Sequence, residues 1–304
     1  MTSLHPDHEI LTIDGWKKIN LISKNDLIAT LKNYSIYYEQ YLQKTEYVHD
    51  DIIYNISNDL IDIKCTDNTK VYTIDYTSNI LEVINQKIKY RLGDAIDQDD
   101  YKFILPTTND ISYRILDTYY WLKLLGYFYV YGNKNNNKIK FNCTKILLNK
   151  IIDILNILNI SYLQVNEKSI FHLIITDTQI NTYLLLLFDE KNNSKYLPDW
   201  LFHLSFYQTR IFLNIIFDNN SIYTTNSLIM ANNLQHLAIH AGFICIIKYI
   251  KLYKVWDLII YNQNISNHNN IVLKDKYNGP LYNIIMPESN YMTRLNGKCS
   301  WILS

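Results

Sequence analysis

Few side chains able to do chemistry stand at a useful spacing in this chain. His236 and His240 lie four apart, an interval that turns two imidazoles onto one helix face and is compatible with a shared metal ion. No acid sits between them in an H-E-x-x-H pattern, so the expected role is packing or surface. The four cysteines, Cys65, Cys143, Cys245 and Cys299, are widely spaced and include no C-x-x-C pair, which argues against zinc. Lys138 and Lys140 alternate along a polar run and fit either a solvated strand face or a local basic strip. The formal net charge is +0, so the composition carries no footprint of a large nucleic-acid surface.

The elements that must position such groups follow from periodicity. Tyr119 to Gly132 (Y-Y-W-L-K-L-L-G-Y-F-Y-V-Y-G) places Leu122, Leu125, Phe128 and Tyr129 at helical spacing. Gly126, mid-helix, costs about 1 kcal/mol against Ala, which makes sense if a second helix crosses there. Gly132 is expected to end the helix. Lys145 to Leu158 repeats apolar residues at Ile146, Leu147, Ile151, Ile154, Leu155 and Leu158, a second helix; Ser169 to Thr176 reads as a strand and Thr178 to Phe188 as a helix. The first hundred residues alternate short apolar and polar runs, among them Glu9 to Thr12, Asp51 to Ile56, Leu60 to Cys65, Lys70 to Tyr76 and Ile80 to Arg91, an all-β pattern. Hydrophobic content of 48% and charged content of 19% over 304 residues support two domains of ordinary size. Gly is 7 and Tyr 27, a bias resembling translation from an AT-rich genome. The most apolar runs, such as Tyr183 to Phe188, are too short to span a bilayer, and nothing at the N-terminus resembles a signal peptide. A soluble intracellular protein with reduced cysteines and no membrane partner is expected.

Ser3 to Ile19 (S-L-H-P-D-H-E-I-L-T-I-D-G-W-K-K-I) closely resembles the opening block of inteins, the self-splicing Hint fold, through Leu4, Pro6, Asp7, Ile10, Leu11, Thr12, Asp14, Gly15 and Trp16. The resemblance implies that Ser3 holds the nucleophile position, where a hydroxyl could start an N-to-O acyl shift. Only Met1 and Thr2 precede it, so no flanking protein to splice is expected. The second intein block carries T-x-x-H, whose His protonates the scissile amide; Cys65 to Thr69 (C-T-D-N-T) matches at Thr66 and places Thr69 at the His. Thr has no group that titrates near neutrality. Tyr277 to Trp301 resembles the closing block, with an Asn296-Gly297 hairpin turn. Asn283 stands where many relatives carry a catalytic Asp or Cys. Leu303, before Ser304, stands where the family has the cyclising Asn.

Leu124 to Gly132 (L-L-G-Y-F-Y-V-Y-G) resembles the core helix of LAGLIDADG homing endonucleases, in which the next-to-last residue is a metal-binding acid; here it is Tyr131. A phenol cannot replace a carboxylate as a hard-cation ligand. Leu197 to Leu204 (L-P-D-W-L-F-H-L), the following helix and Thr224 to Phe243 resemble the second half of intein-embedded endonucleases of the giant-virus type. The ungapped match puts Asn220 at the second acid, a one-residue shift puts Asn219 there, and only a larger slip brings in Asp218. The second core helix, Thr209 to Phe217, has Asn214 or Ile215 in place of the family glycine. The family's strands after the core helix lie on DNA, which makes Lys134, Lys138 and Lys140 the candidate nucleic-acid contacts. Two lost carboxylates leave metal-dependent phosphodiester hydrolysis without its ligands.

The resemblance implies an α+β protein. Residues 1–110 and 265–304 would form an all-β Hint module from both chain ends. Residues 111–264 would form an inserted LAGLIDADG-type (DOD-type) α/β domain with two core helices and saddle-shaped antiparallel sheets; Tyr261 to Lys276 reads as the return linker. The expected function is that of a pseudoenzyme, degenerate at its splicing and nuclease positions. It would be kept as a binding or structural component with protein partners in a virion or other large assembly. The alternatives are a protein that binds double-stranded DNA, a residually active homing endonuclease using Asp218, and residual N-terminal clipping at Ser3. No cofactor and no metal are expected, Mg2+ entering only if nuclease activity survives.

Overall fold

The computed structural model describes residues 2–32, 35–72, 77–79, 94–95, 102–105, 114–167, 170–189, 194–218, 221–261 and 271–304. The fold is α+β, with several antiparallel sheets and five α-helices among the described residues. The helices are α1 (Thr118–Tyr131), α2 (Lys145–Ile157), α3 (Thr178–Leu186), α4 (Phe206–Ile216) and α5 (Leu228–His240). The chain divides into two compact units: Met1–Asp97 with Ser221–Ser304, and Gln98–Asn220.

In the first unit the two chain ends lie side by side. The Asn290–Leu295 strand pairs on one edge with Glu9–Thr12 (Ile10 opposite Thr293) and on the other with Lys298–Leu303. The last strand continues onto Lys70–Tyr72, with Leu303 opposite Lys70. Leu4, Ile10, Ile63, Cys65, Ile284, Tyr291 and Ile302 form one buried core of this unit. A second feature, invisible in the periodicity, is a two-stranded ribbon of Gln43–Ser57 against Ile271–Ile285, fifteen residues each. Its middle, 48–52 against 276–280, holds no buried residue, and Val48 is exposed, so it lacks the apolar alternation that marks a half-buried strand. Residues 271–276, expected as linker, are part of this ribbon; 262–270 lie outside the described residues.

The expected insert, 111–264, and the compact unit Gln98–Asn220 differ at both ends, and the difference bears most on 221–261. The Ile222–Thr225, Val255–Tyr261 and Ile244–Ile250 strands form a three-stranded sheet, and with α5 they belong to the unit of the chain ends. The reason is packing. Ile239, Ile244 and Ile246 share a core with Leu11, Met292 and Trp301. Polar contacts reinforce it: the Arg294 guanidinium donates to Glu9 Oε2 at 2.7 Å, Asn232 Oδ1 at 2.9 Å and Gln235 Oε1 at 2.8 Å, while Gln235 donates to the carbonyls of Cys245 and Gly297. Gly297 has φ +80°, and a Cβ on it would lie 2.1 Å from the Ile247 carbonyl oxygen. The hairpin turn read from the sequence is therefore also a docking point that admits only glycine.

The second unit is built on a helix crossing. Asp117 caps α1, and Ser205 with Gln208 forms a capping box on α4. A Cβ on Gly126 would lie 2.7 Å from Ile215 Cβ and 3.2 Å from the Phe212 carbonyl. The crossing inferred from Gly126 is thus present, and it identifies Ile215, not the exposed Asn214, as the residue facing it. Gly132 ends α1 in extended conformation (φ −75°), not in a left-handed turn. Glycine is needed there because a Cβ would meet Phe128 Cδ2 at 2.7 Å. In α2, Leu148, Ile151, Ile154 and Leu155 are buried, whereas Ile146 is exposed. Phe103, Trp121, Tyr183 and Trp200 form an aromatic cluster, Phe103 stacking on Trp121 at 4.9 Å and Trp200 Nε1 donating to Tyr183.

Candidate functional site

The residues that the resemblance sets at splicing positions, Ser3, Thr69, Asn283 and Leu303, all lie in the first unit. Ser3 is fully buried, beside the turn that follows the Asp62–Cys65 strand. Its amide nitrogen points at Thr69 Oγ1, 3.4 Å away. Its carbonyl accepts from Thr66 N at 3.1 Å, and its hydroxyl oxygen accepts from Tyr47 OH at 3.0 Å. Leu4 bridges Tyr282 and Cys65, which holds the N-terminal segment between the ribbon and that turn. Thr45 and Tyr47, with their partners Asn283 and Leu281, share one ribbon face, since opposed residues and alternate residues point the same way. That is the face from which Tyr47 reaches Ser3. Asn283 is buried, and its Oδ1 has no hydrogen-bond partner among the described residues, a deficit of about 1–3 kcal/mol. Leu303 lies one pairing step from Thr69, opposite Lys70.

The chemistry available there is limited. An acyl shift at Ser3 needs a proton delivered to its amide nitrogen. The atom in place is the Thr69 hydroxyl, which bonds that N–H as acceptor and lacks acidity near neutrality. The Cys65 thiol is pushed up to about 12 by burial, so it is not a thiolate. The nearest imidazoles in sequence are engaged elsewhere. His5 Nδ1 accepts from Asp7 N, and its ring packs on Tyr277 at 4.9 Å. His8 Nε2 accepts from Lys64 N at 3.1 Å, so its Nδ1 carries the proton and donates to Thr293 Oγ1 at 3.0 Å. Burial lowers His8 to about 3, which keeps it neutral.

At the nuclease positions, Tyr131 closes α1, and Asp218 is exposed in the turn after α4. The two belong to one polar cluster: the Tyr127 phenol is raised first by burial, then by the Asp218 charge and by Tyr131. Asn219 and Asn220 lie outside the described residues. Among the described residues, no three or more His, Cys, Asp or Glu side chains converge on a metal position.

The three candidate lysines do not share a face. Gly132–Asn135 and Lys138–Cys143 pair so that Asn133 opposes Lys140 and Asn135 opposes Lys138, while Lys134 opposes the buried Ile139. Lys138 and Lys140 therefore look out from the sheet, beside Asn142 and His172, and Lys134 belongs to the inner face at its rim. A more coherent basic strip lies elsewhere in the sequence. It is the hairpin joining Ile244–Ile250 to Val255–Tyr261, with Lys248, Lys251 and Lys254 interleaved with Tyr249, Tyr253 and Trp256. Leu252 is 80% and Tyr253 72% exposed, and Tyr249 packs on Trp256 at 4.6 Å. A lysine at every third residue between aromatics was the signal available in the sequence.

No family model matches the chain. Among curated proteins it is similar to the ATP-dependent Clp protease proteolytic subunit of Chlamydomonas moewusii, 28% identical over 285 residues, covering 79% of this chain and 28% of that protein. It is also similar to the DNA-directed RNA polymerase subunit beta C-terminal section of Stigeoclonium helveticum, 25% identical over 389 residues, covering 97% of this chain and 36% of that protein. The chain thus spans about a third of the length of each relative. Similar solved structures include the homing endonuclease I-DmoI in complex with DNA and Mn, at 11% identity and TM-score 0.36, covering 47% of this chain and 90% of that one. They also include a splice-inactive variant of the AceL NrdHF class 3 split intein, at 8% identity and TM-score 0.33, covering 99% of this chain and 97% of that one.

Proposed function

We propose that this protein is an intein- and homing-endonuclease-derived module that has lost both chemistries and is kept for its surface. The observation that carries the reading is the pair at the splicing position: Ser3 N with Thr69 Oγ1 at 3.4 Å, where a proton donor would have to stand. Losing a general acid typically costs a factor of 10²–10⁴ in rate. Leu303 has no amide to cyclise, which removes the second step of the family's reaction. Tyr131 offers no carboxylate at the first nuclease position, leaving Asp218 as the acid beside it. The match to parts of two proteins with unrelated names supports an insertable module rather than a domain of either relative's activity.

The test is direct. The chain is expressed between two soluble reporter domains and followed by intact mass, then incubated with a plasmid target library in Mg2+ or Mn2+. The expected result is unspliced precursor and unnicked plasmid. Splicing, scission before Ser3, or metal-dependent nicking lost in Asp218→Asn would overturn the reading. The Lys248–Trp256 hairpin favours a nucleic-acid-binding form of the same module, which salt-dependent retention on DNA would support. Proteins co-purifying with the native chain, without such retention, would favour an assembly component.

A further inference from the structure

His236 and His240 did not stand as a site in the sequence because no third ligand was in view. The structure supplies one. Tyr38, on the Ser35–Glu39 strand, reaches α5 with its phenol oxygen 2.6 Å from His236 Nε2 and 2.6 Å from His240 Nε2. The two imidazole rings lie 4.6 Å apart, both on the face of α5 turned to Tyr38. All three groups belong to one compact unit. Two ring nitrogens thus converge on one phenol oxygen in a part-buried cluster, at a spacing that an ion seated among them would widen.

As hydrogen bonds alone, the arrangement needs two different imidazole forms. A phenol has one proton, so it donates to one Nε2, and the other imidazole must carry its own proton on Nε2 to donate back. A metal ion requires nothing so asymmetric, since each Nε2 then presents a lone pair to the same centre. Neutral imidazole is the form that ligates, whereas burial pushes the Tyr38 phenol up, so its oxygen gives up the proton only to an incoming ion. The ligand set, two nitrogens and one oxygen, is hard for alkaline-earth ions and natural for Zn2+ and its divalent neighbours.

We propose that His236, His240 and Tyr38 form a binding site for a Zn2+-class transition metal that clips α5 to the Ser35–Glu39 strand. Uptake replaces the phenol proton: the Tyr38 oxygen forms the metal bond as phenolate, and one proton is released to solvent for each ion bound.

The full chain, stripped with chelator, is titrated with Co2+ and Zn2+. The expected results are one saturable equivalent per chain, a Co2+ visible band of a low-coordinate N/O site displaced by Zn2+, and release of one proton per ion. Tyr38→Phe should abolish the proton release, and His236→Gln with His240→Gln should weaken binding at least about tenfold. Absence of saturable uptake by the unmodified chain overturns the site whether or not the variants fold. So does uptake that the double His variant leaves unchanged. The proposal is independent of splicing and nuclease activity, so it stands or falls separately from the proposed function.

Discussion

At the scale of residues, the chain keeps several side chains in forms that only burial explains. His8 is neutral, lowered to about 3, with Lys64 N and Thr293 Oγ1 on its two nitrogens; His240 is lowered to about 4 and His236 falls well below the ordinary 6.5. Each takes up its proton more readily unfolded than folded. The sign follows: stability is intact above pH 6.5 and drains away as pH falls from 6.5 toward the folded values. We expect the urea midpoint to drop steadily below pH 6.5, and His8→Gln, whose amide can serve both partners, to flatten that slope by about one proton's worth. A midpoint independent of pH between 7 and 5 would contradict this. Cys65 and Thr69 belong to the same scale. Their environments give neither a thiolate nor a group acidic near neutrality at the Ser3 amide nitrogen, and the silent reading rests on that residue chemistry and not on fold.

At the scale of elements, the α1–α4 crossing is a close approach that Gly126 makes possible. Gly126 has Ile215 Cβ and the Phe212 backbone against the place where its own Cβ would be. Gly126→Val should cost about 1–3 kcal/mol through overpacking. Ile215→Ala should recover part of that loss, giving a coupling above about 0.5 kcal/mol in a double-mutant cycle measured by denaturant unfolding. Additive effects would mean the helices do not meet there. The same element shows where pattern reading stops. Helical spacing located α1, and Asp117, Ser205 and Gln208 mark the helix starts. Whether Asn214 or Ile215 faced the glycine could not be read, because both fit a helix of that length and only the crossing angle chooses. The Lys134–Lys140 stretch was legible as alternating, but the turn register decided that Lys134, though exposed, lies on the opposite face from Lys138 and Lys140.

At the scale of the molecule, residues 221–261 belong with the chain ends, and Arg294 is central to that tie. It is buried, bonded to Glu9, Asn232 and Gln235, and stacked 4.4 Å over Trp16. Removing one partner of such a buried ionic network costs about 3–5 kcal/mol. Arg294→Met should therefore destabilise the first unit by that order, with hydrogen exchange rising together in α5, Ile244–Ile250 and Glu9–Thr12. Exchange confined to the Asn290–Leu295 strand would show that the segments are not coupled through it. The sequence by itself determined the short strands at both ends, the α1 helix and the glycines at 126 and 297, because these rest on local periodicity and local backbone demands; the α+β class and the α4 helix, expected over Thr209 to Phe217 and found over Phe206–Ile216, came from the family resemblance. Only the tertiary structure decided that 221–261 joins the chain ends, that Thr69 meets Ser3, and that Tyr38 meets two histidines about two hundred positions away. Those are contacts between residues remote in the chain, fixed by which apolar faces bury one another, and no local pattern encodes the partner.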